Sequence, residues 1–198
     1  ADVVLNAGDS TSSTGGEVSI TSGTGGGSMS GGQINLSTPN GGQSGAIAFN
    51  TGAAATQAAG NVALQTGASQ NALSGSITIV TGASTQIEAG SILLEAGMAT
   101  SQTGGSVSIR SGASSSSQTG KIVMASSAGQ TSSGSVSMQT GVSLTDSGEV
   151  TIRTSTSATH EGGSIAIQTE SGEWQSGNIQ LQAGAGGIVT GGGINVMT

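Results

Sequence analysis

The sequence predicts an all-β chain, a parallel β-solenoid (β-helix) of about 14 coils with a period of about 15 residues. Three observations predict it. One short phrase recurs along all 198 residues, apolar and polar residues alternate inside it, and the segments between phrases are short and made of residues that turn easily.

The phrase reads glycine, any residue, aliphatic, any residue, aliphatic, any residue, then Thr, Ser or Ala, usually followed by glycine. Its first aliphatic falls at Val3, Val18, Ile34, Ile47, Val62, Ile77, Ile92, Val107, Ile122, Val136, Val150, Ile165, Ile179 and Ile194. The second follows two places on, as in Leu5, Ile20, Leu36 and Phe49, and a small residue two places after that, as in Ser22, Thr51, Thr66 and Thr81. Alternation at period two is strand spacing, whereas a helix would bring its apolar positions round every three or four residues. Each copy is therefore expected to supply one strand, and each lap to lie about 4.8 Å from the last.

Stacked laps would share their side chains in axial rows: Val/Ile in one, Leu/Ile/Met in a second, Thr/Ser/Ala in a third. The opposite limb holds small residues, with Ala68 and Ala83 followed by Ser69 and Ser84, and Ser114 and Ser143 at matching places. With 37 glycines and 33% hydrophobic residues, a globular core would be underfilled. Cohesion is expected instead from backbone hydrogen bonds between laps, repeat on repeat. The same register would pair Glu95 with Arg110 across one rung, an exposed ion pair worth under about 1 kcal/mol. It would also stack Asn50 on Gln65 and Gln168 on Gln182 as amide ladders.

Composition excludes several functions. A net charge of −7 and a pI near 4.2 make nucleic acid and anionic membranes poor partners. Without cysteine there is no disulfide, thiol nucleophile or thiolate metal site. No apolar run approaches a membrane span, so no membrane insertion is expected. Both ends fall inside a phrase, at Ala1 and Thr198. Residues 1–198 therefore read as a single continuous repeat array, a segment of a longer protein or a unit that associates with similar chains end to end or laterally.

Chemistry-bearing residues are few. The sole histidine, His160, stands beside Glu161, and the sole tryptophan, Trp174, beside Glu173. Together they could form a ligand patch that holds a cation or stacks on a sugar, but so weak a motif favours the blander reading of a solvated irregular loop. Metal sites need more convergent ligands, serine has no fixed His and Asp companions, and Glu17, Glu88, Glu95 and Glu149 are too scattered for paired-carboxylate glycoside chemistry. Asp2, Asp9 and Asp146 are too few for a calcium-binding β-roll. The expectation is thus a chain with no catalytic, cofactor or metal site. Asn35, Leu36 and Ser37 form an N-glycosylation sequon.

Phrases such as Gly16-Glu17-Val18-Ser19-Ile20-Thr21-Ser22-Gly23 and Gly105-Ser106-Val107-Ser108-Ile109-Arg110-Ser111-Gly112 resemble the Gly/Ser-rich repeat arrays of secreted algal and protist proteins. More loosely, they are similar to the solenoid shafts of bacterial adhesins. The resemblance implies an extracellular or cell-surface scaffold and carries no active site. The function expected is a structural, non-catalytic rod in an extracellular fibre, appendage or coat. Two rivals are ice binding and carbohydrate-binding adhesion. Ice-binding solenoids present outward ranks of Thr-x-Thr, and between the two aliphatics only Thr78 and Thr151 are threonine here.

Overall fold

The computed structural model describes residues 2–157, 161–173, 175–185 and 191–197. Among the described residues there is no helix and no strand. The expected β-solenoid is therefore not seen: among the described residues no phrase carries a strand ladder of backbone hydrogen bonds and no stacked coils are formed.

The period itself survives in another form. The described residues bend at 11–13, 41–43, 55–57, 70–72, 85–87, 100–102, 115–117, 130–131 and 144–145, with a turn at 27–28, so one reversal falls in each interval between successive phrases from Val3 to Val150. The chain divides into two units, Ala1–Leu94 and Glu95–Thr198. Each is built from the same element: a loop whose two ends are drawn together into a neck.

The neck forms between the small residue that ends one phrase and the glycine that opens the next. In the first unit a Cβ added to Gly16 would sit 3.2 Å from Ala7 Cβ, and one on Gly75 would sit 3.2 Å from Thr66 Cβ. In the second, a Cβ on Gly105 would lie 3.1 Å from Ala96 Cβ, and one on Gly163 would lie 3.0 Å from Thr154 Cβ. The thirteen interphrase glycines from Gly16 to Gly192 all meet the preceding small residue in this way. Glycine stands there because its missing side chain is the space the neck closes into. Phrase spacings vary, and the loop alone absorbs the variation, since the neck always joins the same two phrase positions.

Serine shapes the loop tips. Ser69 Oγ accepts the Ala72 N–H at 3.1 Å, Ser84 Oγ the Ile87 N–H at 3.2 Å, and Ser114 Oγ the Ser117 N–H at 2.9 Å. Ser10 Oγ does the same for Ser13 N–H at 3.0 Å. A hydroxyl that accepts from its own backbone a few residues on offers the chain a turn in place of a ladder. The loop after Ser22 turns differently: Gly27 has φ of +60°, and Met29 N–H donates to Gly26 O at 3.1 Å. A positive φ at the first central residue alone marks a type II′ turn, for which glycine is the usual residue.

No described residue is buried, polar or apolar, so the expected axial rows are not formed. Val62, Ile77 and Ile92, which a stacked register would seal against one another, are 60%, 54% and 53% exposed. The accessible surface is 20198 Å². A compact chain of this mass would expose about 8,200 Å² and the unfolded chain about 27,000 Å², so about a quarter of the available surface is removed from water.

The energetics explain why the phrases stay open. Burying both large side chains of a phrase is worth about 3–6 kcal/mol. Fixing the backbone of the five residues from its first aliphatic to its small residue costs about 5–10 kcal/mol. A lone phrase therefore falls a little short, and the large loop side chains do not cover it, since Leu73, Ile87 and Leu144 are themselves 97%, 84% and 106% exposed. Periodic alternation marks where apolar residues recur; it does not supply a partner for them.

Candidate functional site

Among the described residues, the side chains that are partly covered all belong to necks. Six described residues are half-buried rather than exposed, namely Ala7, Thr38, Thr66, Thr81, Ala96 and Ala183, and each is the small residue of a neck. The third row expected of the solenoid thus exists as a set of separate contacts, each against the next glycine in sequence.

The necks come in two kinds, and the small residue decides which. Where it is Ala or Ser followed by glycine, a backbone bond closes the loop: Gly16 N–H donates to Gly8 O at 2.8 Å, Gly32 to Gly23 at 2.7 Å, Gly105 to Gly97 at 2.9 Å, Gly120 to Gly112 at 3.0 Å, and Gly192 to Gly184 at 2.9 Å. Where it is threonine, the branched methyl fills the space. Thr66 Cγ2 and Thr140 Cγ2 each lie 3.3 Å from the place a Cβ on the opposing glycine would take, and Thr81 Cγ2 lies 3.5 Å away. Among the described residues, no backbone bond closes these threonine necks. Threonine has few rotamers to move out of the way with, so it acts as a wedge. A hydroxyl also spans one neck of each kind: Ser22 Oγ donates to Gly32 O at 3.0 Å beside the backbone bond, and Thr154 Oγ1 donates to Gly163 O at 2.9 Å where no backbone bond is formed.

Each neck also shields the residue two places beyond it. From the second phrase onward, the first aliphatic is 45% exposed at Ile47 to 60% at Val62, and the second is 60% exposed at Ile152 to 89% at Val196. Val3, which has no described neck before it, is 90% exposed. The result is a recurring apolar pair with its first member half shaded and its second open.

Asn35 and Ser37 of the sequon are exposed, as are Glu161 and Glu173, while His160 and Trp174 lie outside the described residues. Glu95 and Arg110 are both exposed, and the stacked register that would have paired them is absent. The amide contact that does occur lies within a phrase, Gln180 Nε2 donating to Gln182 Oε1 at 3.3 Å, rather than between laps. The serines of the expected flat limb, Ser69, Ser84 and Ser114, spend an acceptor lone pair on their own loops. The described residues include no group of three His, Cys, Asp or Glu that could hold a metal, and no helix long and apolar enough to cross a membrane.

One signal for the neck was available in the sequence. The position two before the first aliphatic is glycine at all thirteen interphrase sites, whereas the position after the small residue is also Pro39, Ser127, Ser155 or Glu170. A place that admits only glycine is a place with no room for a side chain. No protein-family model, curated protein or solved structure matches the chain.

Proposed function

We propose that this chain is a structural, non-catalytic component of an extracellular fibre, appendage or coat, and that it works by association with further copies of itself. The observation that carries this reading is the recurring pair of exposed aliphatics in a chain with no buried described residue. Contiguous apolar surface beyond a few hundred Å² marks an interaction site. Here the apolar surface is spread over fourteen phrases at near-constant spacing, so the partner that meets it phrase for phrase is a chain with the same spacing.

Self-association also resolves the energetic shortfall of a lone phrase. Two phrases brought together bury four large side chains and gain backbone hydrogen bonds, each worth about 0.5–1.5 kcal/mol net. Any stiffness belongs to the assembly, because the described residues of the single chain include no buried core to supply it. The low charge content, 7% of residues, leaves little repulsion to oppose side-by-side contact. Scarce cations and abundant Gly, Ser and Thr suit a surface or secreted setting, where Asn35 would carry a covalent glycan and glycans are further candidate partners for the His160 and Trp174 segments.

Analytical ultracentrifugation over a concentration series, followed by electron microscopy of the heaviest species, tests this reading. Concentration-dependent growth into elongated particles supports it; a monomer at every concentration, at which phrase substitutions change nothing, overturns it.

A further inference from the structure

We propose that Asn40 is a site of spontaneous covalent change, cyclising with the Gly41 amide to a succinimide and opening to aspartate or isoaspartate. The inference stands apart from any assembly role. It rests on a comparison between the two asparagines that the structure places at loop bends.

Asn40 precedes the bend at 41–43 and Asn71 sits within the bend at 70–72; both are exposed. Cyclisation needs the next residue's backbone nitrogen to reach the asparagine Cγ. At Asn71 that nitrogen belongs to Ala72, carries a Cβ beside it, and is already donating to Ser69 Oγ at 3.1 Å. At Asn40 it belongs to Gly41, which has no Cβ, and no hydrogen bond holds it among the described residues. Glycine leaves the backbone free to swing the nitrogen toward the side chain. Asn40 is the only one of the eight asparagines followed by glycine.

The step balances as follows. The Gly41 amide loses its proton to hydroxide or a buffer base, and its nitrogen bonds to Asn40 Cγ. The Cγ–Nδ2 bond breaks and ammonia leaves with a proton from the medium. Water then opens the ring: attack at Cγ restores the normal main chain and gives aspartate, while attack at the backbone carbonyl carbon routes the main chain through Cβ and Cγ. Either product replaces a neutral amide with a carboxylate.

The second product matters for the fold. It adds one methylene to the main chain inside the loop that has least slack, since Thr38 to Gly45 is the shortest neck-to-neck path in the chain. A Cβ on Gly45 would lie 3.3 Å from Thr38 Cγ2, so this neck is already in contact. Lengthening the loop should move the Gly45 resonance along with those of the loop itself.

Peptide mapping by mass spectrometry of the purified chain, aged at 37 °C in mildly alkaline buffer, tests the proposal. The expected result is that the peptide with Asn40 converts from amide to acid faster than the peptides with Asn71 or Asn50, with isoaspartate among its products and a shift of Gly45 in the aged protein. Gly41→Ala should slow conversion at Asn40, and Ser69→Ala should speed it at Asn71 by freeing the Ala72 nitrogen. Conversion at Asn40 no faster than at Asn71, or unaffected by Gly41→Ala, would overturn it.

Discussion

Two glycines face each other at the neck of the loop between Ala96 and Gly105, and replacing each by alanine should have opposite outcomes. On Gly97 an added Cβ meets nothing within 4 Å. On Gly105 it would come within 3.1 Å of Ala96 Cβ, 3.2 Å of Gly97 N and 3.3 Å of Gly97 O. Contacts that close force the neck apart by a few tenths of an ångström, and the bond from Gly105 N–H to Gly97 O, now 2.9 Å, is the first to yield. Losing one such bond costs about 1 kcal/mol, which is a factor of about five in the ratio of closed to open loop. Amide exchange of residue 105, read by NMR against a peptide standard, should therefore quicken about fivefold in Gly105→Ala. In Gly97→Ala it should stay within the measurement error. Equal effects of the two substitutions would refute the reasoning, because only the neck geometry distinguishes these glycines.

Other outcomes follow from the same geometry. Thr81→Ala removes the wedge at a threonine neck, so Gly90 N–H should gain a bond to Gly82 O and exchange more slowly; unchanged exchange would show that threonine is not what holds that neck open. Arg110, Lys121 and Arg153 are exposed, so trypsin should cut after all three at rates close to those in urea, and strong native-state resistance would contradict an uncored chain. Replacing the open apolar pair Val107 and Ile109 by serine should raise the concentration at which the chain associates, monitored by sedimentation; association at the wild-type concentration would remove these phrases from the contact.

The phrase positions read from the sequence are the ones that the necks join, and the described bends fall in the runs of Gly, Ser, Thr and Ala between phrases. What the periodicity did not determine was what the phrase pairs with. Val62, Ile77 and Ile92 recur at fifteen-residue spacing whether they stack on one another or face water, since equal spacing is a property of the repeat and burial is a property of its partner. The third phrase position was read as an inward row, yet Ala96 packs against Gly105, nine residues on, rather than against its equivalent in the next copy. A loop of that length closes at little entropic cost, because closure scales only slowly with length. The competing long-range register would have to order a whole lap for two large side chains. Ser69, Ser84 and Ser114 were legible as a rank of small polar residues, but their role as local turn acceptors depends on hydrogen bonds that spacing alone does not reveal. Of the candidate patch, His160 and Trp174 lie outside the described residues, and Glu161 and Glu173 stand exposed.

Through-space proton contacts on the isotopically labelled monomer measure the central claim most directly. If the necks organise this chain, Gly105 Hα will show a cross-peak to the Ala96 methyl, and Gly16 Hα one to the Ala7 methyl. Cross-peaks linking Val62 to Ile77 and Ile77 to Ile92, with none at the glycines, would mean that the repeats stack after all and that the necks do not exist.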